Sequence, residues 1–114
     1  MWRATLNSWH GLVAAAKSEA ALREELVALA LSIPLAFLVT PLAWKRLALI
    51  GVMLLLVAVE LLNTAIEKLS DHVTGTHHPD IGRIKDMGSA AVGVALLIAG
   101  LAWLLAFAEW FGVL

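Results

Sequence analysis

Three long apolar runs dominate this chain and limit what it can fold into. Residues 26–44 carry no charge, residues 47–59 are uncharged and continue as an apolar stretch past Glu60 to Ile66, and residues 87–108 are again uncharged. Each run reaches or approaches the ~20 residues that a helix needs to cross the hydrocarbon core of a bilayer. A chain of 114 residues with 61% hydrophobic content and a mean hydropathy of +0.89 is not a soluble globular domain but one small membrane domain. The five tryptophans, Trp2, Trp9, Trp44, Trp103 and Trp110, mostly stand near the ends of the runs, where amphipathic rings settle at the membrane boundary.

Local signals divide the runs into helices. Thr40-Pro41 reads as an N-cap followed by proline at the first helical position. The first membrane helix is therefore expected over residues 20–39, kinked at Pro34, and the second over residues 41–73. The second helix would be ~50 Å long at 1.5 Å per residue, more than the bilayer core, so its last two turns reach to or beyond the surface. Residues 74–83 are rich in glycine and polar side chains and read as a loop. A third membrane helix is expected over residues 84–110. On it Gly88, Ala91, Ala95, Ala99, Ala102 and Ala106 stay within about 60° of one direction, a face that lets helices approach closely in lipid. Residues 1–18 place Trp9, Val13 and Ala16 opposite Asn7 and Ser18, the pattern of a helix lying in the interface. This segment lacks the basic start and small-residue cleavage pattern of a secretory signal and is expected to be retained. The expected fold is all-α: three transmembrane helices preceded by an N-terminal interfacial amphipathic helix, in one domain over residues 1–114.

The second helix carries an anomaly. Between Glu60 and Asp71 it reads Glu60-Leu-Leu-Asn63-Thr64-Ala-Ile-Glu67-Lys68-Leu-Ser-Asp71. At 100° per residue, Glu67 lies about 20° to one side of Glu60 and Asp71 about 20° to the other, with Asn63 and Thr64 within roughly 60°. An acidic side chain at the centre of a membrane helix costs about 2.5–3.5 kcal/mol on insertion scales. Such a stripe is either a polar seam that joins helices or a site for ions, protons or phosphates.

Orientation follows from the basic residues. With three crossings, Arg3, Lys17, Arg23, Lys68, Arg83 and Lys85 share one side, and only Lys45 and Arg46 lie on the other. The bias puts the N-terminus and the acidic end of the second helix in the cytoplasm. All acidic residues but Glu60 and Glu109 lie on or beside that face, with Glu60 just inside it. The net charge of −1 and the absence of a basic run give no sign of a nucleic-acid partner, and the absence of cysteine excludes thiol catalysis and thiolate metal sites. Lys85, Asp86 and Ser89, at the start of the third helix, could handle a phosphate and a divalent ion together with the stripe: carboxylates bind the ion, the ion bridges phosphate oxygens, and a lysine adds positive charge. The chain has no glycine-rich phosphate loop, so a nucleotide site would be assembled from helix side chains.

The segments Val59-Glu60-Leu-Leu-Asn63-Thr64-Ala-Ile-Glu67, then Asp71, then Lys85-Asp86-Met-Gly-Ser89-Ala-Ala-Val resemble the signature of the prokaryotic diacylglycerol kinases. Upstream, Ser8-Trp9-His-Gly11-Leu and Ser18-Glu19-Ala-Ala-Leu-Arg23-Glu24-Glu25 match that family's amphipathic lead-in, so the resemblance covers essentially the full length. It implies an integral-membrane kinase of three crossings, in the inner membrane of a bacterium. Such an enzyme is a homotrimer with active sites between subunits at the cytoplasmic surface. It transfers the γ-phosphoryl group of ATP to diacylglycerol with Mg²⁺ as cofactor.

The resemblance also implies roles. Glu60 would be the general base on the lipid hydroxyl, with Asn63, Lys85 and Asp86 as its catalytic neighbours. Glu19 and Glu67 would bind the metal of ATP-Mg²⁺, and Asp71, Lys85 and Asp86 would join them around the nucleotide. Ser89, Glu25, Arg23 and Trp9 would line the lipid side, although anchoring or capping explains Trp9, Gly11, Arg23 and Glu24 equally well. Two other readings remain at this point. An undecaprenol kinase has the same fold and chemistry with a polyprenyl acceptor, but the Met-Gly-Ser-Ala-Ala-Val run leans toward the diacylglycerol type. A small proton-coupled transporter would have four spans and one mid-membrane acid, not a cluster at one end. His77, His78 and Asp80 could be read as a metal site, but adjacent histidines in a loop rarely chelate one ion.

Overall fold

The computed structural model describes residues 1–76 and 78–114 and contains four helices, with no strand among the described residues. Helix α1 spans Trp2–Ser18, α2 Ala20–Val39, α3 Ala43–Val73 and α4 Pro79–Trp110. Two of them, α3 and α4, are long and apolar enough to cross a membrane. Helix α2 is divided in character. Arg23, Glu24 and Glu25 occupy its first two turns, and the uncharged remainder to Val39 is ~21 Å long at 1.5 Å per residue. Pro34 lies within α2 without ending it.

Helices α1 and α2 are separated by one extended residue, Glu19, at φ −122° and ψ 115°. Arg23 closes the break by donating from Nη1 to the carbonyls of Ala16 (2.9 Å) and Lys17 (3.2 Å). A guanidinium in this place satisfies carbonyls left open by the last turn of α1 and complements its negative end.

Two helix starts differ from the sequence expectation. Helix α3 begins at Ala43, not at Pro41, because Thr40 is drawn into the turn: its backbone N–H still bonds Ala36, and its hydroxyl accepts from the Leu42 N–H at 3.2 Å. Helix α4 begins at Pro79, several residues before the expected residue 84. Pro79 sits at the first helical position, Asp80 follows in the first turn, and the His78 imidazole accepts from the Asp80 N–H at 3.1 Å. The Pro-Asp pair inside the presumed loop was the available signal. The proposed metal reading of this loop included His77, which lies outside the described residues; His78 acts as a cap. At the far end, Gly112 at φ 78° closes α4, with Gly112 N–H on Glu109 and Val113 N–H on Ala108.

Helix α3 is central and packs most extensively against α4, then α2. Its buried residues are Leu49, Leu56, Val57, Glu60, Asn63, Thr64 and Ser70. Those at 49, 56, 63 and 70 recur every seven residues, so they form one stripe along the helix. The stripe is apolar in its first half and polar in its second. Opposite it, α4 contributes the buried small residues Gly88, Ala95 and Ala99, members of the predicted small-residue face; Ala91 of that face is exposed. A cluster of Ala15, Leu22 and Val57, backed by Leu12, Ala16, Leu26, Leu29 and Leu61, ties α1, α2 and α3 together around the fully buried Leu22. Trp103 is more than a boundary anchor, since its indole N–H donates to the Leu49 carbonyl of α3 at 3.2 Å. Many large apolar side chains on α2, α3 and α4 remain exposed, among them Leu31, Phe37, Leu54, Leu62, Leu97 and Leu104, as expected of surfaces meant for lipid or other helices.

Candidate active site at the polar end of α3

The polar half of the α3 stripe brings three polar side chains inside the protein. Glu60 is 8% exposed, Asn63 7% and Thr64 4%. Asn63 donates from Nδ2 to Glu67 Oε1 at 3.3 Å, a one-turn contact along the helix. Its Oδ1 is buried with no partner among the described residues, and the same holds for Oε2 of Glu25 on α2. Buried oxygens that accept nothing are uncommon in folded proteins, because desolvation goes uncompensated.

Glu19, in the break between α1 and α2, joins this group. Lys68 of α3 approaches its carboxylate at 3.6 Å. Glu25 lies within electrostatic range of Glu60 from the α2 side. Through Lys68, Glu19 at the α1–α2 break thus stands beside the α3 row of Glu60, Asn63 and Glu67. Four carboxyl groups make this end of the bundle electronegative. Among the described residues, Lys68 is the cation that contacts one of them, Glu19.

The remaining predicted residues fall elsewhere. Lys85 of α4 pairs with Asp71 of α3 and does not contact Glu60, Asn63 or Glu67. This pair lies at a cavity of about 410 Å³ between the ends of α3 and α4, lined also by Thr74, Thr76, His78 and Gly82. Asp86 and Ser89 are exposed on α4, and Trp9 is 62% exposed on α1. Arg23 is engaged with α1 carbonyls, which is the capping alternative. Lys68 and Gly88 were not among the predicted site residues. Gly88 is buried against Asn63, where a Cβ would stand 2.2 Å from Oδ1; its place in the small-residue stripe was the sequence signal, without the partner.

The family question is decided by sequence comparison. Residues 6–107 match the family model described as prokaryotic diacylglycerol kinase. The chain belongs to the prokaryotic diacylglycerol kinase family. It is 42% identical over 105 residues to the diacylglycerol kinase of Escherichia coli strain K12, a match covering 92% of this chain and 86% of that one. The diacylglycerol kinase of Shigella flexneri matches to the same extent. The matched region contains the whole gathered cluster, from Glu19 through Glu67, and the Asp71–Lys85 pair.

The cluster suits a hard cation. Its donors are carboxylate oxygens, which Mg²⁺ prefers over nitrogen or sulfur. No group of three or more His, Cys, Asp or Glu side chains at metal-binding spacing occurs among the described residues.

Proposed function

We propose that this chain phosphorylates diacylglycerol at the cytoplasmic surface of a bacterial inner membrane, taking the γ-phosphoryl group from ATP with Mg²⁺. The observation that carries the reading is the depth-ordered row on α3: Glu60 buried, Asn63 bonded outward to Glu67, and Asp71 exposed beside Lys85. Glu60 and Glu67 are ~10 Å apart along the helix. In this reading one carboxylate serves the lipid hydroxyl and the other the phosphates.

In this mechanism Glu60 accepts the proton of the lipid's primary hydroxyl as that oxygen attacks the γ-phosphorus. The bond from phosphorus to the β–γ bridging oxygen breaks in line, and ADP and phosphatidic acid are the products. Glu67 and Glu19 would hold Mg²⁺, which would neutralise phosphate charge during transfer. Asn63 fixes the Glu67 carboxylate through its amide N–H. Lys85 exchanges Asp71 for phosphate, and Asp86 supports it. Glu25, Ser89, Arg23 and Trp9 form the lipid-facing rim.

The chain crosses the bilayer three times in this reading, with α2, α3 and α4 spanning and α1 on the cytoplasmic surface. The six-to-two bias of basic residues supports that orientation. It assembles as a homotrimer with sites between subunits. The exposed small residues Ser89, Ala90, Ala91 and Gly93 on α4 offer a neighbouring helix close approach beside Lys85 and Asp86.

The test is transfer of labelled γ-phosphate from ATP to diacylglycerol by purified protein in mixed micelles, run in parallel with undecaprenol. Label appearing in phosphatidic acid is the expected result. Faster labelling of undecaprenol would move the acceptor to a polyprenyl alcohol, and transfer to neither lipid would overturn the assignment.

A further inference from the structure

We propose that Gly88 is a positioning residue for the phosphoryl-transfer site: having no side chain, it leaves the space on α4 that the Asn63 amide occupies while its Nδ2 bonds Glu67. The inference rests on the reading of Glu67 as a metal ligand and deepens it.

A Cβ built at Gly88 would stand 2.2 Å from Asn63 Oδ1 and 3.3 Å from Asn63 Cγ. The first distance is impossible and the second is tight, so a methyl group here forces a movement. The three atoms nearest to it all belong to Asn63. The easy escape is rotation of the amide about its terminal torsion, which is broad and roughly two-fold for asparagine. Rotation carries Nδ2 away from Glu67 Oε1, now 3.3 Å distant. Glu67 would then lose the donor that orients its carboxylate. Groups that orient a metal ligand without touching the metal strongly affect metal affinity.

Neighbouring glycines supply the contrast. A Cβ at Gly93 or Gly100, on the same helix, would meet nothing within 4 Å. Close approach of α3 and α4 is therefore not a general demand on α4 glycines. The missing side chain at residue 88 is required by one partner, Asn63. Alanine is moreover the better helix former, so Gly88→Ala should preserve the helix while disturbing the amide.

The chain allows a direct readout, because Asn7 and Asn63 are its only asparagines and it has no glutamine. The side-chain amide region of a ¹⁵N spectrum of the full chain in micelles should hold two NH₂ pairs, with that of Asn63 identified by its loss in Asn63→Ala. In Gly88→Ala the Asn63 pair is expected to move while that of Asn7 stays. The Mg²⁺ concentration giving half-maximal ATP binding should rise about tenfold, and the Tm should not fall. Gly93→Ala should leave the Asn63 pair in place. An unmoved Asn63 pair in Gly88→Ala overturns the proposal, as does a wild-type Mg²⁺ requirement in Gly88→Ala when that of Glu67→Gln is raised. If the Tm of Gly88→Ala falls instead, the Asn63→Ala/Gly88→Ala double variant should recover it, and a double variant as unstable as the single one overturns the proposal. A wild-type Mg²⁺ requirement in Glu67→Gln is a different failure, that of the metal reading itself, and it removes the role proposed for Gly88.

Discussion

The two ends of α3 treat their polar groups in opposite ways. At the end near Ala43, the charged side chains and Trp103 have partners within the protein. Lys45 pairs with Glu109 of α4 at 2.7 Å, Arg46 donates to the Thr40 carbonyl at 2.9 Å and covers the Phe37 ring at 4.1 Å, and Trp103 donates to Leu49. At the Glu60–Asp71 end, Asn63 Oδ1 and Glu25 Oε2 are buried without a hydrogen-bond partner among the described residues. A closed set of contacts fixes the register of helices. An open set holds binding capacity in reserve and keeps it dry, where each interaction with an incoming ion or phosphate is stronger than in water.

If that contrast is right, equal chemical changes at the two ends should have unequal effects. Glu60→Gln keeps shape and removes the base, so turnover should fall by about 10³-fold while ATP binding is retained. A variant with half the wild-type rate would remove the base assignment and with it most of the contrast. Glu67→Gln should come next, raising the Mg²⁺ requirement for ATP binding by about 10- to 100-fold; an unchanged titration curve would shift the metal role to another acid. Trp103→Phe deletes one donor at the closed end. It should lower stability by about 1 kcal/mol, read as thermal inactivation in micelles, with the KM for ATP unchanged. The smallest effect is expected from Lys45→Gln. This half-exposed pair contributes about 0–1 kcal/mol, so a Tm shift of a few degrees at most should accompany a normal rate. Loss of turnover in either closed-end variant would break the division between a structural end and a chemical one.

Much of this was legible beforehand. The apolar runs, the amphipathic pattern of residues 1–18 and the polar stretch from Gly75 to Gly82 announce an all-α chain of four helices. The Glu-x-x-Asn-Thr-Ala-Ile-Glu and Lys-Asp-x-Gly-Ser motifs announce the family, which comparison over residues 6–107 establishes. The early start of α4 was less visible, because a His-Pro-Asp segment is a turn signal until the His78 side chain is seen capping the next N–H. Trp103 read as a boundary ring, since nothing in a sequence says which backbone carbonyl an indole will meet.

What the sequence determined by itself is whatever depends on one helix at a time. The seven-residue spacing of Leu49, Leu56, Asn63 and Ser70 and the alignment of Glu60 with Glu67 follow from 3.6 residues per turn wherever the helix sits. The tertiary structure decided what depends on the rotation and approach of two helices. It set Asn63 against Gly88 and not against a neighbouring alanine, Lys85 on Asp71 and away from Glu67, and Trp103 on the Leu49 carbonyl. Periodicity places a side chain on a face, but only the packed neighbour determines whether that face is a seam or a site.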